Sequence, residues 1–468
     1  MYLLEIKNRE KINIESIPEL SFDIFEDAVC SDDKRVISLF VQDDNMYAVL
    51  LDVESLKLYI CSTKVESSYP AFSLKKPALH MFEREIFEKN NIEPVGHPFL
   101  KPVRNQAGYD FLASSDLQSH EVAVGPVHAG IIEPGHFRFL CNGERVNHLE
   151  IMLGYQKRGV EQMMKNRPSI ALAESICGDS TIAYAKTYAE VMEALSGIQI
   201  DKRAKLIRNI ALEMERLAIH IGDLGAIAGD VAYQIGANVF AVTRTLVINT
   251  MLDICGNRFG KGLIRVGGVN YDINENLVTK IEAMLKEVKD RLTTMADAMF
   301  SNATVLSRLE NTGTVTKKRA KEVGLVGMAA QASGISIDSR KMDNSDFAVK
   351  TVGSGDVYAR TYLRFLESIQ SLELIEDYVG CLSGDFVASS SSIDLAANSF
   401  VVVINEGWRG EIVHICITDE NGYIKQYKIK DPSFNNWFGL ALAVRNNQIS
   451  DFPVCNKSFN LSYCGFDL

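Results

Sequence analysis

Two long apolar stripes limit what this chain can fold into. In DKRAKLIRNIALEMERLAIHIGDLGAI, Leu206, Ile210, Met214, Leu217 and Ile221 fall three or four residues apart. In NENLVTKIEAMLKEVKDRLTTMADAMF the same spacing joins Leu277, Ile281, Met284, Val288, Leu292 and Met295. That period puts each set on one helix face, which must be buried against another element. A third helix is predicted after the Ile176-Cys177-Gly178 step. There Ala183, Thr187, Val191, Leu195 and Ile198 recur at helical spacing, and Gly197 weakens the far end. Together these segments predict a helical core from about residue 155 to 310. Cys177 and Gly178 stand just before the third helix, where free backbone N–H groups favour a thiolate, an anion or an electron-rich ligand. The plainer reading of Cys177 is a buried cysteine at a helix entrance.

Strand patterns flank this core. Residues 1–105 read as a small α/β domain, with strands at Val36 to Val41, Met46 to Leu51 and Leu56 to Cys61, then a helix in ALHMFEREIFEKN. On that helix Glu83, Arg84, Glu85 and Glu88 read as a solvated face, and His97 as a brace for the Gly96-His97-Pro98 turn. Residues 106–120, short of aliphatics, read as a linker. Val122 to Ile151 is strand-like, with a hairpin at Asn142-Gly143. Residues 330–365 are rich in Gly, Ser and Asp and read as loops. Their Gly353-Ser354-Gly355 step follows no strand of a βαβ unit, so it is not a phosphate loop. Residues 399–430 alternate as a β-meander broken at Glu420-Asn421-Gly422. The fold class is α+β, with domains at 1–105 and 121–468.

The length of 468 residues allows about two or three domains. A net charge of -11 argues against nucleic acid as a general partner. No uninterrupted apolar run reaches the ~18 residues of a membrane span, and the first residues show no signal-peptide core. Nine cysteines, none in Cys-x-x-Cys spacing, predict a reducing compartment. They offer no disulfide framework, zinc ribbon or iron–sulfur motif.

Seven motifs in order carry a resemblance: GPVHAGIIEPGHFRF (125–139), GYQKRGVEQMM (154–164), ICGDS (176–180), RFGKGLIRVGGV (258–269), QASGISIDSR (331–340), GDVYARTYLRFLESIQS (355–371) and WRGE (408–411). From about residue 120 onward the chain resembles the large subunit of membrane-bound, energy-converting nickel–iron hydrogenases and the 49-kDa subunit of complex I. FEREIFEKNNIEPVGHPFL is similar to the signature of complex I's 30-kDa subunit, with Asn90-Asn91 where that pattern has Phe-Gly.

The hydrogenase pattern has a Cys-Gly-x-Cys pair here and a Cys-x-x-Cys pair near the C-terminus, whose four thiolates hold nickel and iron. This chain has Cys177-Gly178-Asp179-Ser180, and FNLSYCGFDL puts Ser462 and Gly465 in register, with Cys464 one place out of step. The resemblance therefore implies a branch that has lost the metal ligands, with no metal bound by this chain. The sequence ends three residues past Gly465, an expectation of nothing for a maturation protease to trim.

The resemblance also implies the lining of the former metal or quinone pocket: His128, Cys177, Gly178, Asp179, Ser180, Tyr184, Ser462 and Cys464, with Glu133 and Arg409 as candidate catalytic groups. Tyr184 stands where both patterns have a histidine. Glu133, the acid in an apolar GIIEPG run, is either a buried proton relay or the partner of an arginine such as Arg138 or Arg409. Arg409 either holds an anionic or carbonyl group or pairs with Glu411 or Glu406. His128 either donates to a quinone carbonyl or braces a turn. KMDNSDFAVKT lacks the Pro-Tyr of the complex I pattern.

The expected function is an oxidoreductase subunit of a membrane-bound redox complex, coupling electrons to ion translocation without hydrogenase activity. The alternatives are a quinone-reducing subunit and a non-catalytic scaffold. Implied partners are a small iron–sulfur subunit whose cluster supplies electrons, a ferredoxin-like subunit and antiporter-like membrane subunits. Those partners would hold the chain on the cytoplasmic side of the cell membrane. The expectation is no cofactor bound by this chain itself, with the pocket open to a quinone, a water chain or nothing at all.

Overall fold

A computed structural model describes residues 3–113, 118–130, 132–384 and 393–468. Residues 114–117 of the predicted linker, and Ile131 of the apolar run before Glu133, lie outside the described residues.

The helical core is built on Lys202–Asp230, whose N-cap Asp201 accepts from Ala204 N. This helix packs between Gln234–Cys255 and Val357–Gly380, and Gln234–Cys255 packs in turn on Glu275–Phe300. The predicted stripes are the buried faces, except that Leu206, Leu277 and Met295 sit at their half-buried margins. Thr181–Ser196 is buried nearly all round and ends on Gly197, at a φ of 71° that glycine adopts without strain. Ile198 falls beyond its end.

The predicted meander is three antiparallel strands, Ser399–Gly407, Gly410–Thr418 and Ile424–Lys430. Every residue of the first two is buried, because both faces are covered. One face carries the Thr181–Ser196 helix. On the other, Val402, Ile404, Ile415 and Ile417 pack against Ile37, Phe40, Val49 and Ile60 of an N-terminal sheet. That sheet contains Lys34–Gln42, Asn45–Asp52 and Leu58–Lys64, the last beginning two residues later than predicted. The strand Lys11–Asn13 leaves it and pairs with Ser399–Val401 as a fourth strand of the meander.

Two expectations fail. Residues 330–365 are only partly loop, since Asp356 accepts from Ala359 N and starts the helix Val357–Gly380. On His80–Asn90, Glu83, Arg84 and Glu85 are buried. Glu83 accepts from Phe72 N and Ser73 N, Arg84 donates to two carbonyls, and Glu85 lies between Arg104 and Lys428. A face that reads as solvated is a junction between the two sheets and the tail. His97 braces its turn as expected, bonding Phe99 N and the His80 carbonyl.

By length and composition, Gln234–Cys255 alone among the described residues could cross a membrane. Here it lies against two helices, with Phe240, Val247 and Ile254 buried and Ile235 and Val242 exposed.

Candidate functional site

Three segments distant in sequence meet at Cys177: the turn before Thr181–Ser196, the hairpin tip Trp408-Arg409, and the tail from Asn460 to Gly465. The tip is a two-residue turn closed by the Gly407–Gly410 pair. Gly327 lies against it so closely that a Cβ there would overlap Gly410.

Arg409 is the hub. Its Nη1 and Nη2 donate to Asp179 Oδ1 and Oδ2 at 2.6 and 2.8 Å, and its Nε donates to the Asn460 carbonyl at 2.5 Å. Its guanidinium stands 3.8 Å from the Trp408 ring centroid, while Trp408 Nε1 donates to the Asp179 carbonyl at 2.8 Å. Burial would raise the Asp179 pKa, but Arg409 outweighs it and holds the carboxyl below its usual range. The alternative pairings of Arg409 are not made. Glu411 binds Arg35 and Lys430, and Glu406 accepts from Ser339.

Cys177 Sγ lies 3.0 Å from Asp179 Oδ1, 3.2 Å from Ser462 Oγ and 3.5 Å from Arg409 Nη1. Its hydrogen bond with the Cys464 thiol, together with burial, pushes its pKa well above the usual thiol value. The helix does not supply the expected thiolate site, because the N–H groups of Ile182 and Ala183 already donate to Glu215 at 2.7 and 3.3 Å. Burial raises Glu215 to about 8.

Ser180 is buried and lies 3.4 Å from Arg409 Nη1, and the Gly178 carbonyl accepts from Thr181 Oγ1. Ser462 Oγ accepts from Gly465 N at 2.8 Å and lies 3.6 Å from Cys464 Sγ. Tyr184 donates to Asp431 Oδ2 at 2.5 Å. Burial and that carboxylate raise its pKa well above the usual phenol value.

Two candidates lie in the 125–135 loop. Glu133 is half-buried and accepts from Cys464 N at 3.4 Å, so it is not sealed in an apolar pocket, and among the described residues no arginine pairs with it. Arg138 binds Glu121 at 2.8 Å instead. His128 bonds the Gly135 carbonyl through Nε2 at 2.8 Å and so braces its own loop.

Beyond Asp179 opens a cavity of about 580 Å³ lined by Asp223, Arg244, Lys457 and Asn460. Asp223 binds Arg364 at 2.9 Å, Lys457 at 3.0 Å and Asn460 Nδ2 at 2.8 Å. Behind it His220 bonds Glu367 at 2.7 Å. Sequence reasoning missed these groups, because Asp223 and His220 lie on a helix read only for its apolar stripe. The i, i+4 pair Arg360 and Arg364 in YARTYLRF was the available signal.

Comparison with known proteins bears on this geometry. The family described as the 49-kDa subunit of respiratory-chain NADH dehydrogenase matches residues 230–399. The membrane-bound hydrogenase subunit alpha of Pyrococcus furiosus is 31% identical over 365 residues, covering 73% of this chain and 85% of that one. The chain belongs to the family of membrane-bound hydrogenase alpha subunits. An NADH-quinone oxidoreductase subunit of Thermosipho melanesiensis is 26% identical, over 70% of this chain and 94% of that one. The fold matches a chain in the structure of the membrane-bound sulfane sulfur reductase, an archaeal respiratory membrane complex, with a TM-score of 0.70 and 22% identity, covering 76% of this chain and all of that one.

The α+β fold is thus that of a hydrogenase-type large subunit. Within it Tyr184 is a structural donor, and Tyr184→Phe strips Asp431 of one of the two donors it has among the described residues, the other being Ser433 N at 2.7 Å. The expected loss is about 1–3 kcal/mol in a urea titration, with the denaturant slope unchanged.

Proposed function

We propose that this chain is the large subunit of a membrane-bound, complex I-like redox complex and holds no nickel–iron centre of its own. Electrons would come from iron–sulfur clusters in a small subunit and a ferredoxin-like subunit, and drive ion movement through antiporter-like membrane subunits. Those partners would keep the chain on the inner face of the membrane, with residues 1–105 as the 30-kDa-subunit counterpart.

The donor set at Cys177 carries the reading. The four positions that match the hydrogenase ligands hold one thiol, two hydroxyls and a glycine. Serine hydroxyls stay protonated near neutral pH and are poor ligands for these soft metals. A side chain at Gly465 would overlap Asp431 Oδ2, so no ligand fits there without rearrangement. Arg409 and Asp179 fill the space beside the remaining thiol with an ion pair. Such residues do not fit a nickel–iron site. A quinone-reducing role has less support, since His128 is spent on the Gly135 carbonyl.

Elemental analysis of the purified native complex tests this. The expected result is nickel far below one per complex and no hydrogen evolution from a low-potential dye. Near-stoichiometric nickel would overturn it.

A further inference from the structure

A cavity of about 330 Å³ lies where the first hundred residues meet the Ser433–Val444 helix, apart from the Cys177 site. That volume is at the small end of ligand sites. Its walls are apolar and aromatic, including Met81, Phe99, Leu149, Leu153, Trp437 and Phe438. Two arginines line it. Arg84 donates to the carbonyls of Lys101 and Pro102 at 2.7 and 2.8 Å, and Arg445 Nη2 donates to His148 Nδ1 at 3.2 Å. Among the described residues neither has a carboxylate within ion-pair distance. Glu150, the acid of the lining, is held by Lys101 at 2.7 Å.

The lining also carries polar hydrogens with no acceptor. With Arg445 on His148 Nδ1, the ring's proton sits on Nε2. Burial keeps His148 neutral by lowering its pKa, and takes His80 to about 3. Burial also pushes the Tyr109 hydroxyl up to about 12. Among the described residues, Tyr109 Oη, His148 Nε2, Trp437 Nε1 and Arg445 Nε are buried without a hydrogen-bond partner. Unpaired donors and uncompensated guanidinium charge in apolar surroundings are both costly, and an anionic acceptor relieves both.

We propose that this cavity binds an organic monocarboxylate with an apolar body. Its carboxylate pairs with Arg445, and its body packs against Phe99, Trp437 and Phe438. Binding here is independent of the function proposed for the Cys177 site.

Calorimetric titration of the full chain with naphthoate, and with the uncharged naphthalenemethanol, tests it. Naphthoate is expected to bind saturably at one per chain and the alcohol about tenfold more weakly or worse, the value of a charge-assisted hydrogen bond. Arg445→Gln should weaken naphthoate by a similar factor and leave the alcohol unchanged. Ala441→Phe, which fills the cavity from its wall and keeps both arginines, should abolish binding of both. Equal binding of acid and alcohol, no saturable naphthoate binding at millimolar concentration, or retained binding in Ala441→Phe would overturn the proposal. Should Arg445→Gln prove unfolded by circular dichroism, the acid–alcohol comparison and Ala441→Phe still decide.

Discussion

Glu411→Gln is expected to cost the fold about 3–5 kcal/mol, the penalty of leaving buried charge without its partner. Glu411 is 2% exposed and sits between two cations, Arg35 at 2.5 Å and Lys430 at 2.7 Å. Arg35 belongs to the N-terminal sheet and Lys430 to the meander, so this one carboxylate ties the two sheets together. Glutamine keeps the shape but removes the charge, and both cations stay behind among apolar residues. Burial by itself would raise the Glu411 pKa, but Arg35 and Lys430 outweigh it and hold it at about 2. The stabilisation is therefore present above the usual glutamate range and is lost as pH falls through about 2. Chemical denaturation at pH 7 should show the full loss. The gap between wild type and variant should narrow on acidification, and a gap that stays constant down to pH 2 would show that Glu411 is not the titrating partner.

Legibility in the sequence followed the range of the interactions. The helices were readable because Ile210, Met214 and Ile221 reveal their burial through spacing along one segment, and the meander because its strands alternate about the Glu420-Asn421-Gly422 turn signal. The convergence on Cys177 was legible only through the order of motifs, which placed Ser462 and Cys464 beside it. Buried charge was not legible at all. Glu85 reads as a surface residue within FEREIFEK, and the Lys428 that neutralises it at 2.6 Å lies far along the chain. Arg409 failed in the same way. Its nearest acids in sequence are Glu406 and Glu411, yet strand geometry aims those at Ser339 and Arg35, and the turn sends Arg409 across to Asp179. Glu133 was read from its apolar neighbours, but a loop residue takes its surroundings from whatever packs on the loop, here the backbone of Cys464.

The Arg409–Asp179 pair should respond asymmetrically to removal of its two members. The Arg409 side chain is 5% exposed, while that of Asp179 is 37% exposed. Asp179→Ala leaves a guanidinium buried with one carbonyl, the Trp408 ring and two weak contacts, and is expected to cost about 3 kcal/mol, the low end for an unpaired buried charge. Arg409→Met leaves a carboxylate that water can reach, so the ionic part is discounted for solvent screening. What remains is chiefly the Asn460 carbonyl losing its donor, about 1–2 kcal/mol. The double variant should cost less than the sum, because each single change already breaks the pair. The thiol gives a second readout. Asp179 raises the Cys177 pKa and Arg409 lowers it, so Asp179→Ala should speed alkylation of Cys177 and Arg409→Met should slow it. Denaturation of the three variants, with mass spectrometry of the alkylated site, checks both. Equal costs for the two single changes would mean that Asp179 is as sealed from water as Arg409.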